Sequence, residues 1–288
     1  MFDEIIAIYC LCDEFTRALG IPQDPRSKMS PAEIAATAVI SARLFNGNLD
    51  KTRLFLKAYR YIPHIVSKSR LCRLIHQIPP LFWDYLLAFL QRISSAKSTE
   101  YIVDSFPVTL CAQVRKYRCK LSQDKKCLGY HAAKREFFYG LKVHVIMTAE
   151  GQPMEFILLP GSTHDMKAFR QMPLRAVPKG ASIYADKAYN SASYEDFLWE
   201  ERGIALLSQK KASNRRQYTQ KISAYINKKR KKIETAFSEM KSWLGQKVHA
   251  VTLKGFKLKL TLNVVAFAFK TVVQKKLCKL IRKERVMA

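Results

Sequence analysis

The sequence lacks the features that would place it in several large protein classes. Glycine and proline are scarce, with 10 and 11 among 288 residues, which excludes collagen-like and low-complexity chains. No apolar run reaches the ~18 residues of a membrane span, because lysines interrupt the nearest one, residues 256–273. The first residues are acidic where a signal peptide has a basic region. We therefore predict a cytoplasmic protein that is not exported.

Several familiar catalytic motifs are also missing. The chain has no Gly-x-x-x-x-Gly-Lys-Ser/Thr loop, which excludes a P-loop ATPase, and no Gly-x-Ser-x-Gly or His-Glu-x-x-His motif. The seven cysteines are odd in number and match no zinc-binding spacing. We therefore expect free thiols in a reducing compartment.

Acidic residues are few relative to basic ones. The chain has 50 Lys and Arg against 23 Asp and Glu, a net charge of +27. Residues 206–288 alone hold 22 basic and 3 acidic side chains, a difference of +19. Such a chain repels itself unless it meets a polyanion, so nucleic acid is the predicted partner. Binding to DNA would make this cytoplasmic protein nucleoid-associated. An amphipathic helix at 256–285 lying on anionic lipid is an alternative explanation of the charge.

Helical and strand patterns divide the chain into three parts. Residues 1–95 predict a small all-helical domain, and its segment Ser30-Pro31-Ala32-Glu33 has the form of a capping box at a helix start. Residues 96–250 alternate strand and helix patterns, which predicts an α/β fold with a mixed sheet flanked by helices. Residues 251–288 predict a basic C-terminal helix. Within 96–250, the predicted strands are 101–104, 138–148, 154–159, 182–186 and 204–207, and a long helix covers about 218–243.

The helix predicted over residues 67–77 is a candidate for DNA recognition. One of its faces is apolar, and the other carries Lys68, Arg70 and Arg73. The pattern fits the recognition helix of a helix-turn-helix module. It fits equally an ordinary amphipathic helix with a solvated basic face, so both interpretations stay open.

Three carboxylates stand out by their positions. Asp104 and Asp186 each end a predicted strand, and Glu234 follows Lys228–Lys232 on the long helix. Strand ends of an α/β sheet are where ligands bind, and carboxylate oxygens suit hard cations. A third carboxylate from a facing helix would complete a two-metal site. Arg230 shares a helical face with Glu234, and the alternative is a local ion pair on a solvated helix.

A fourth carboxylate, Asp165, competes with these three. It falls in the first turn of a predicted helix, where an acid stabilises the helix N-terminus, so we interpret it as mainly structural. His144 lies in the middle of a predicted strand, and we expect it to be packed or hydrogen-bonded rather than catalytic.

Seven segments occur in an order and spacing that resemble the DDE-class transposases of bacterial insertion sequences, and in particular the nine-eighty-two family. The segments are SPAEIAATAVI (30–40), VDSFPVTLC (103–111), KREFFYGLKVHVIMTAEGQPMEF (134–156), LPGSTHDMKAF (159–169), YADKAYN (184–190), RKKIETAFSEMK (230–241) and KVHAVTLKGFKLKL (247–260). The resemblance covers about residues 30 to 260.

The resemblance implies a ribonuclease H-like catalytic domain and assigns the acids. Asp104, Asp186 and Glu234 are the implied catalytic and metal-binding residues, with Mg²⁺ as the cofactor or Mn²⁺ in its place. The wider superfamily has a Tyr, Arg, Glu, Lys pattern, of which Arg230, Glu234 and Lys241 fill the last three places. Asn227 stands where the pattern has Tyr, which puts only the role of that Tyr in doubt.

The implied reaction is DNA transposition. Asp104 would bridge two Mg²⁺ ions, Asp186 would bind one of them, and Glu234 would bind the other. Water first attacks at the transposon end and frees a 3′-OH, and that 3′-OH then attacks the target DNA without any need for ATP. The expected partner is double-stranded DNA, both the transposon ends and the target, and the family implies a homodimer.

Basic residues are expected to hold the DNA through its phosphates, which gives affinity but no sequence reading. The candidates are Lys68, Arg70, Arg73, Arg115, Lys116, Arg118, Lys187, Lys228, Lys229, Arg230 and Lys241. Two alternatives to a transposase remain open: a metal-dependent nuclease of the same fold, and a DNA-binding relic without catalysis.

Overall fold

The computed structural model describes residues 1–94, 98–131, 134–212, 214–245 and 247–287, with side chains through Lys275. The chain forms two compact units. The first contains residues 1–95, 240–246 and 254–288, and the second contains residues 96–239 and 247–253. The predicted boundary at residues 95–96 lies outside the described residues.

The first unit is helical. Within the described residues, its helices are α1 (Phe2–Ala18), α2 (Pro31–Leu44), α3 (Leu49–Ala58), α4 (Lys68–Gln77), α5 (Pro80–Ser94) and α9 (Leu253–Met287). The predicted capping box is confirmed, because the Ser30 hydroxyl accepts from the Glu33 amide while the Glu33 carboxylate accepts from the Ser30 amide. Residues 32–42 of α2 are buried throughout, so this helix lies at the centre of the unit.

Helix α9 contributes core to this first unit. Phe256, Val264 and Phe269 are fully buried, and Asn263 donates a hydrogen bond to the Met240 carbonyl at 3.0 Å. The apolar side chains between residues 256 and 273 that the lipid-surface alternative needs are thus covered by protein. Among the described residues, none of the helices combines the length and the apolar character needed to cross a bilayer.

The second unit contains the sheet. Within the described residues, its strands are β1 (Glu100–Cys111), β2 (Leu128–His131), β3 (Glu136–Thr148), β4 (Pro153–Pro160), β5 (Ser182–Ala185) and β6 (Ala205–Ser208). The order is β2-β3-β1-β5-β6, and β4 also pairs with β3. β1, β2, β3 and β4 pair antiparallel, whereas β5 runs parallel to β1 and to β6. The predicted mixed α/β sheet is confirmed, and its topology is consistent with the ribonuclease H-like fold that the resemblance implied.

Helices cover both faces of this sheet. On one face, Tyr101, Val103 and Ile183 pack with α6 (Asp165–Phe169) and α7 (Ala192–Arg202) in a buried core. The other face carries Ile102 and Phe106 and packs against α8 (Gln220–Leu244), where the rings of Phe106 and Phe237 lie 4.7 Å apart. Because side chains alternate along a strand, Asp104 lies on the α8 face between Ile102 and Phe106.

One expectation about the first strand is wrong. Asp104 does not end it, since β1 continues for seven residues to Cys111 through antiparallel pairing with β3. Asp104 does lie just past the end of the parallel pairing, because β1 pairs with β5 only at residues 100–102. The Asp104 carboxylate therefore lies where β1 and β5 separate. This position is equivalent to a strand end, where an α/β sheet binds its ligands.

The structure of the segment that connects β1 to β3 was not predicted from the sequence. It contains two short 3₁₀ turns, at Gln113–Arg118 and Lys125–Cys127, and strand β2. Gly140 lies where β3 meets β1 beside an irregularity in the pairing at Thr109 and Cys111. A Cβ at residue 140 would stand 2.1 Å from the Val108 carbonyl oxygen, so only glycine fits this crossing of the strands.

Candidate active site

The three candidate acids come from three different elements of the second unit. Asp104 lies within β1, Asp186 directly follows β5, and Glu234 lies on α8. β1 and β5 are neighbours and parallel, so Asp104, within β1, and Asp186, just after β5, lie side by side. Ile233 and Phe237, both buried, hold the α8 turn that carries Glu234 against the sheet.

A single guanidinium brings the three acids together. Arg230 Nη2 lies 3.9 Å from Asp104 Oδ2, Nη1 lies 3.4 Å from Asp186 Oδ1, and Nη2 lies 3.7 Å from Glu234 Oε1. The Arg230 side chain is only 14% exposed. The alternative of an ion pair on a solvated helix face therefore describes only part of the arrangement, because Arg230 also reaches both aspartates.

The charge around Asp104 is unbalanced. Burial raises the pKa of Asp104, the Ser105 amide and Arg230 lower it, and the negative charges of Asp186 and Asp165 raise it, so that it lies at about 6. One guanidinium therefore does not compensate the carboxylates that face it. A buried acid of this kind gains from an additional cation.

The donor chemistry of the acids fits a hard divalent cation, because all the available donors are carboxylate oxygens. As arranged around the guanidinium, no three His, Cys, Asp or Glu side chains within the described residues are close enough together to form a metal-binding cluster. Arg230 stands between the acids at the centre of the group. The type of donor thus fits the cation, and the Arg230 guanidinium lies among the donors.

A second polar cluster, which the sequence patterns did not indicate, lies beside Asp104. Asp165 begins α6 as expected, but its carboxylate also accepts a hydrogen bond from Ser105 at 2.8 Å and one from Lys142 at 3.3 Å. His144 Nδ1 lies 3.8 Å from the same carboxylate. Burial lowers the pKa of His144 to about 4 despite Asp165, so the ring is neutral near pH 7.

These contacts revise the interpretation of two residues. Asp165 is more than a helix-terminal acid, because it ties β1 to β3 next to the candidate site. His144 is packed, as expected, with 1% of its side chain exposed. The alternation of Lys142 and His144 along β3 was the available sequence signal, since alternate strand residues share one face.

Glu100 fixes the other end of α8 to the sheet. Its carboxylate accepts hydrogen bonds from Tyr184 at 2.8 Å and from Tyr225 at 2.6 Å, and Lys229 pairs with it at 2.6 Å. Partial burial would raise the pKa of Glu100, but the hydrogen bonds from Lys229, Tyr225 and Tyr184 lower it to about 2. Its partners on α8, Tyr225 and Lys229, come shortly before Arg230 in the helix, so the cluster helps to position the residues that follow.

We expect Glu100→Gln to destabilise the protein by about 1–2 kcal/mol at pH 7, because it removes a charged hydrogen-bond acceptor. The folded pKa of about 2 lies below the ordinary 4.5. The stabilisation is therefore present in full above pH 4.5 and is lost as the pH falls towards 2. Urea unfolding should be measured at pH 7 and at pH 3. The difference in the free energy of unfolding between wild type and variant should be smaller at pH 3. Glu200→Gln, on the exposed side of α7, is the control, and a difference independent of pH would contradict the assignment.

The predicted DNA-binding residues have different surroundings. Three of them are exposed on α4: Lys68, Arg70 and Arg73. A 3₁₀ turn carries Arg115 and Arg118, which are exposed, and Lys116, which is half-buried. The remaining exposed ones are Lys187, next to Asp186, and Lys228 and Lys241 on α8. Lys229 is held by Glu100 with 18% of its side chain exposed. Lys229 and Arg230 therefore have protein partners, whereas Lys187 and Lys228 present their side chains to solvent. Asn227, at the place of the absent Tyr, accepts a hydrogen bond from Gln209.

Comparisons with known proteins bear on the family and the fold of the chain. The model of the family described as "Transposase DDE domain" matches residues 95–269. The chain is similar to the transposase for insertion sequence element IS1106 of Neisseria meningitidis serogroup B, with 32% identity over 107 residues. That match covers 35% of this chain and 35% of the relative, so the chain matches about a third of the relative's length.

A solved structure supports the fold. The chain resembles the piggyBac transposase, determined in a synaptic complex with hairpin DNA, with a TM-score of 0.54. The likeness covers 96% of this chain and 73% of the other, at 10% sequence identity. At that identity the likeness concerns the fold alone.

Proposed function

Since the chain belongs to the transposase DDE-domain family, we propose that it is a DNA transposase that cuts insertion-sequence ends and joins the freed 3′-OH to target DNA. The observation that carries the proposal is the convergence of Asp104, Asp186 and Glu234 on Arg230 beside the parallel strands of the sheet. The more specific assignment to the nine-eighty-two family stays part of the proposal.

Asp104, Asp186 and Glu234 are the proposed ligands of Mg²⁺ or Mn²⁺. When bound, such ions supply Lewis-acid activation of the attacking oxygen and charge stabilisation of the leaving oxygen. The protein contributes carboxylates held in place by β1, β5 and α8. On the face of the sheet opposite to Asp104, hydrogen bonds from Ser105 and Lys142 to Asp165 restrain β1. Positioning of this kind provides much of the catalysis in phosphoryl transfer, where the protein does little covalent chemistry.

The proposed reaction has two steps, the hydrolysis of one phosphodiester and then a transesterification. In the first, water attacks at the transposon end, a P–O bond forms as the P–O bond to the 3′ oxygen breaks, and the 3′-OH leaves. In the second, this 3′-OH attacks a phosphodiester of the target, which releases a target 3′-OH. The number of phosphodiester bonds is conserved in the second step, so ATP is not required.

The exposed cations provide the DNA contacts in this proposal. Lys187 follows Asp186 directly, and Lys228 lies half a turn before Arg230 on α8. Lys187 would hold a backbone phosphate near the acids, and Lys228 would contact DNA from the exposed face of α8. Residues 1–95 are the proposed end-recognition domain, with α4 as its recognition helix. Residues 96–250 are the proposed catalytic domain, and residues 251–288 are the proposed basic helix. Two copies of the chain would bring two transposon ends together.

A cleavage and joining assay tests the proposed function. Labelled DNA carrying the flanking element's end is incubated with Mg²⁺ or with EDTA, and Glu234→Gln is compared with the exposed control Glu200→Gln. We expect metal-dependent 3′-end nicking and joining by wild type and control, and loss of both in Glu234→Gln. Nicking without joining indicates the nuclease, and binding without nicking under either Mg²⁺ or Mn²⁺ indicates a DNA-binding relic.

A further inference from the structure

Arg230 occupies a core position on α8. Ile226, Ile233 and Phe237 are buried at spacings of seven and four residues, which is the apolar stripe of a packed helix. Arg230 falls on this stripe, four residues after Ile226 and three before Ile233. A cation in such a position is costly unless nearby anions compensate its charge. The three carboxylates of the proposed active site provide that compensation.

The contacts of Arg230 with these carboxylates are long. Separations of 3.4–3.9 Å exceed the 2.7–2.9 Å of a tight charged hydrogen bond. The buried Arg230 Nε has no hydrogen-bond partner in the described structure. The guanidinium thus lies between three acids without forming a two-pronged bond to any one of them. Such an arrangement is held by charge and can be exchanged for a better anion.

We propose that Arg230 is the resident counter-ion of the acid cluster and must leave it before a divalent cation can bind, with a DNA phosphate as the anion that draws it out. This inference rests on the proposed function, because it takes the three acids as the metal ligands. It makes Arg230 a positioning residue that couples DNA binding to metal binding.

Charge and geometry explain the direction of the coupling. Three carboxylates and one guanidinium leave an excess of negative charge, so the acids still attract a divalent cation. The guanidinium stands between them, and both cations cannot occupy the centre. A phosphodiester accepts the planar guanidinium fork through two parallel hydrogen bonds, which the acids do not provide here. DNA that takes up Arg230 therefore frees the acids, and by reciprocity a bound cation strengthens DNA binding by the same factor.

The test measures Mn²⁺ binding by electron paramagnetic resonance, with and without DNA. The DNA is a duplex that ends at the cleavage position, so no bond remains to be cut, and Mn²⁺ binding to duplex alone is subtracted. Wild type is compared with Arg230→Gln and with Lys231→Gln, an exposed neighbour that loses the same charge. Asp104→Asn identifies the binding that belongs to the acid cluster.

We expect the duplex to tighten Mn²⁺ binding to wild type by about tenfold, within the usual range of coupling between two sites. Arg230→Gln should bind Mn²⁺ about tenfold more tightly than wild type without DNA, and the duplex should then add less than about twofold. Lys231→Gln should show no more than about a threefold change without DNA and should keep the full effect of the duplex. Arg230→Lys keeps the positive charge but loses the two-pronged guanidinium. Its Mn²⁺ affinity without DNA should therefore resemble that of wild type, while the increase in affinity caused by the duplex should be smaller.

Two results would overturn the inference in distinguishable ways. If Asp104-dependent Mn²⁺ binding occurs but Arg230→Gln behaves like Lys231→Gln, the counter-ion role is wrong and the proposed function stands. If Mn²⁺ binding does not depend on Asp104 with or without DNA, the proposed metal site fails and the inference fails with it. Urea unfolding shows whether each variant is folded. If Arg230→Gln is not folded, Arg230→Lys tests the inference through its smaller duplex effect.

Discussion

Asp104→Asn should abolish DNA cleavage while leaving the protein folded and able to bind DNA. The change is nearly isosteric, so it removes the negative charge and preserves the shape of the site. We expect the cleavage rate to fall by at least about a thousandfold, as for other residues that act directly at a reacting centre. DNA affinity should stay within about threefold, because phosphate contacts come mainly from basic residues elsewhere.

The stability of the same variant should be equal to or higher than that of wild type. Burial and the neighbouring carboxylates disfavour the charged form of Asp104, so replacing it removes an unfavourable charge. Arg230 keeps Asp186 and Glu234 as partners. Initial cleavage rates and urea unfolding should be measured on one preparation, with Asp3→Asn in the first turn of α1 as the control. Cleavage within tenfold of wild type would contradict the assignment of Asp104.

Phe237→Ala should destabilise the protein by about 3–5 kcal/mol, the usual cost of truncating a buried aromatic ring. Phe237 is 4% exposed and packs its ring 4.7 Å from that of Phe106, between α8 and the sheet. The loss is a large share of a total stability of about 5–15 kcal/mol. Cleavage should also fall, because Glu234 lies one turn before Phe237 and relies on the same packing.

Two further variants make this second prediction specific. Phe237→Leu keeps most of the apolar volume and should cost less than about 1.5 kcal/mol. Val114→Ala, at a side chain that is 90% exposed, should change stability by less than about 0.5 kcal/mol. Urea unfolding curves give all three values. A loss below about 1 kcal/mol for Phe237→Ala would mean that the ring does not hold α8 on the sheet.

Local features were predicted well from the sequence. The capping box at Ser30 and Glu33 is made within three residues, so sequence spacing alone determines it. The helix patterns of the first unit and the main strands of the second were also found, because apolar periodicity extends over each of them. Errors occurred where pairing decides the outcome, as at β1, which continues to Cys111 only because β3 lies beside it.

The candidate site shows the same division. The apolar strand patterns before Asp104 and Asp186 indicated these two residues as candidates, and the isolation of Glu234 among lysines indicated the third. The contact of Asp165 with Ser105 spans 60 residues and depends on how α6 packs on the sheet, so no local pattern indicates it. Arg230 was placed on the face of Glu234 by helical spacing, but its contact with Asp104 depends on the register of α8 against β1.

The first unit is discontinuous in the sequence, and this affects how the chain is made. Residues 1–95 share that unit with α9, whose first residues are translated about 160 positions after Ser95. A ribosome that adds ~5–20 residues per second needs roughly 10–30 s to cover this distance. During that interval the N-terminal helices have left the ribosome without the helix that completes their core, while the sheet that interrupts them can already fold. Nascent chains should therefore depend on chaperones at this stage, and residues 1–95 produced alone should lack a closed core.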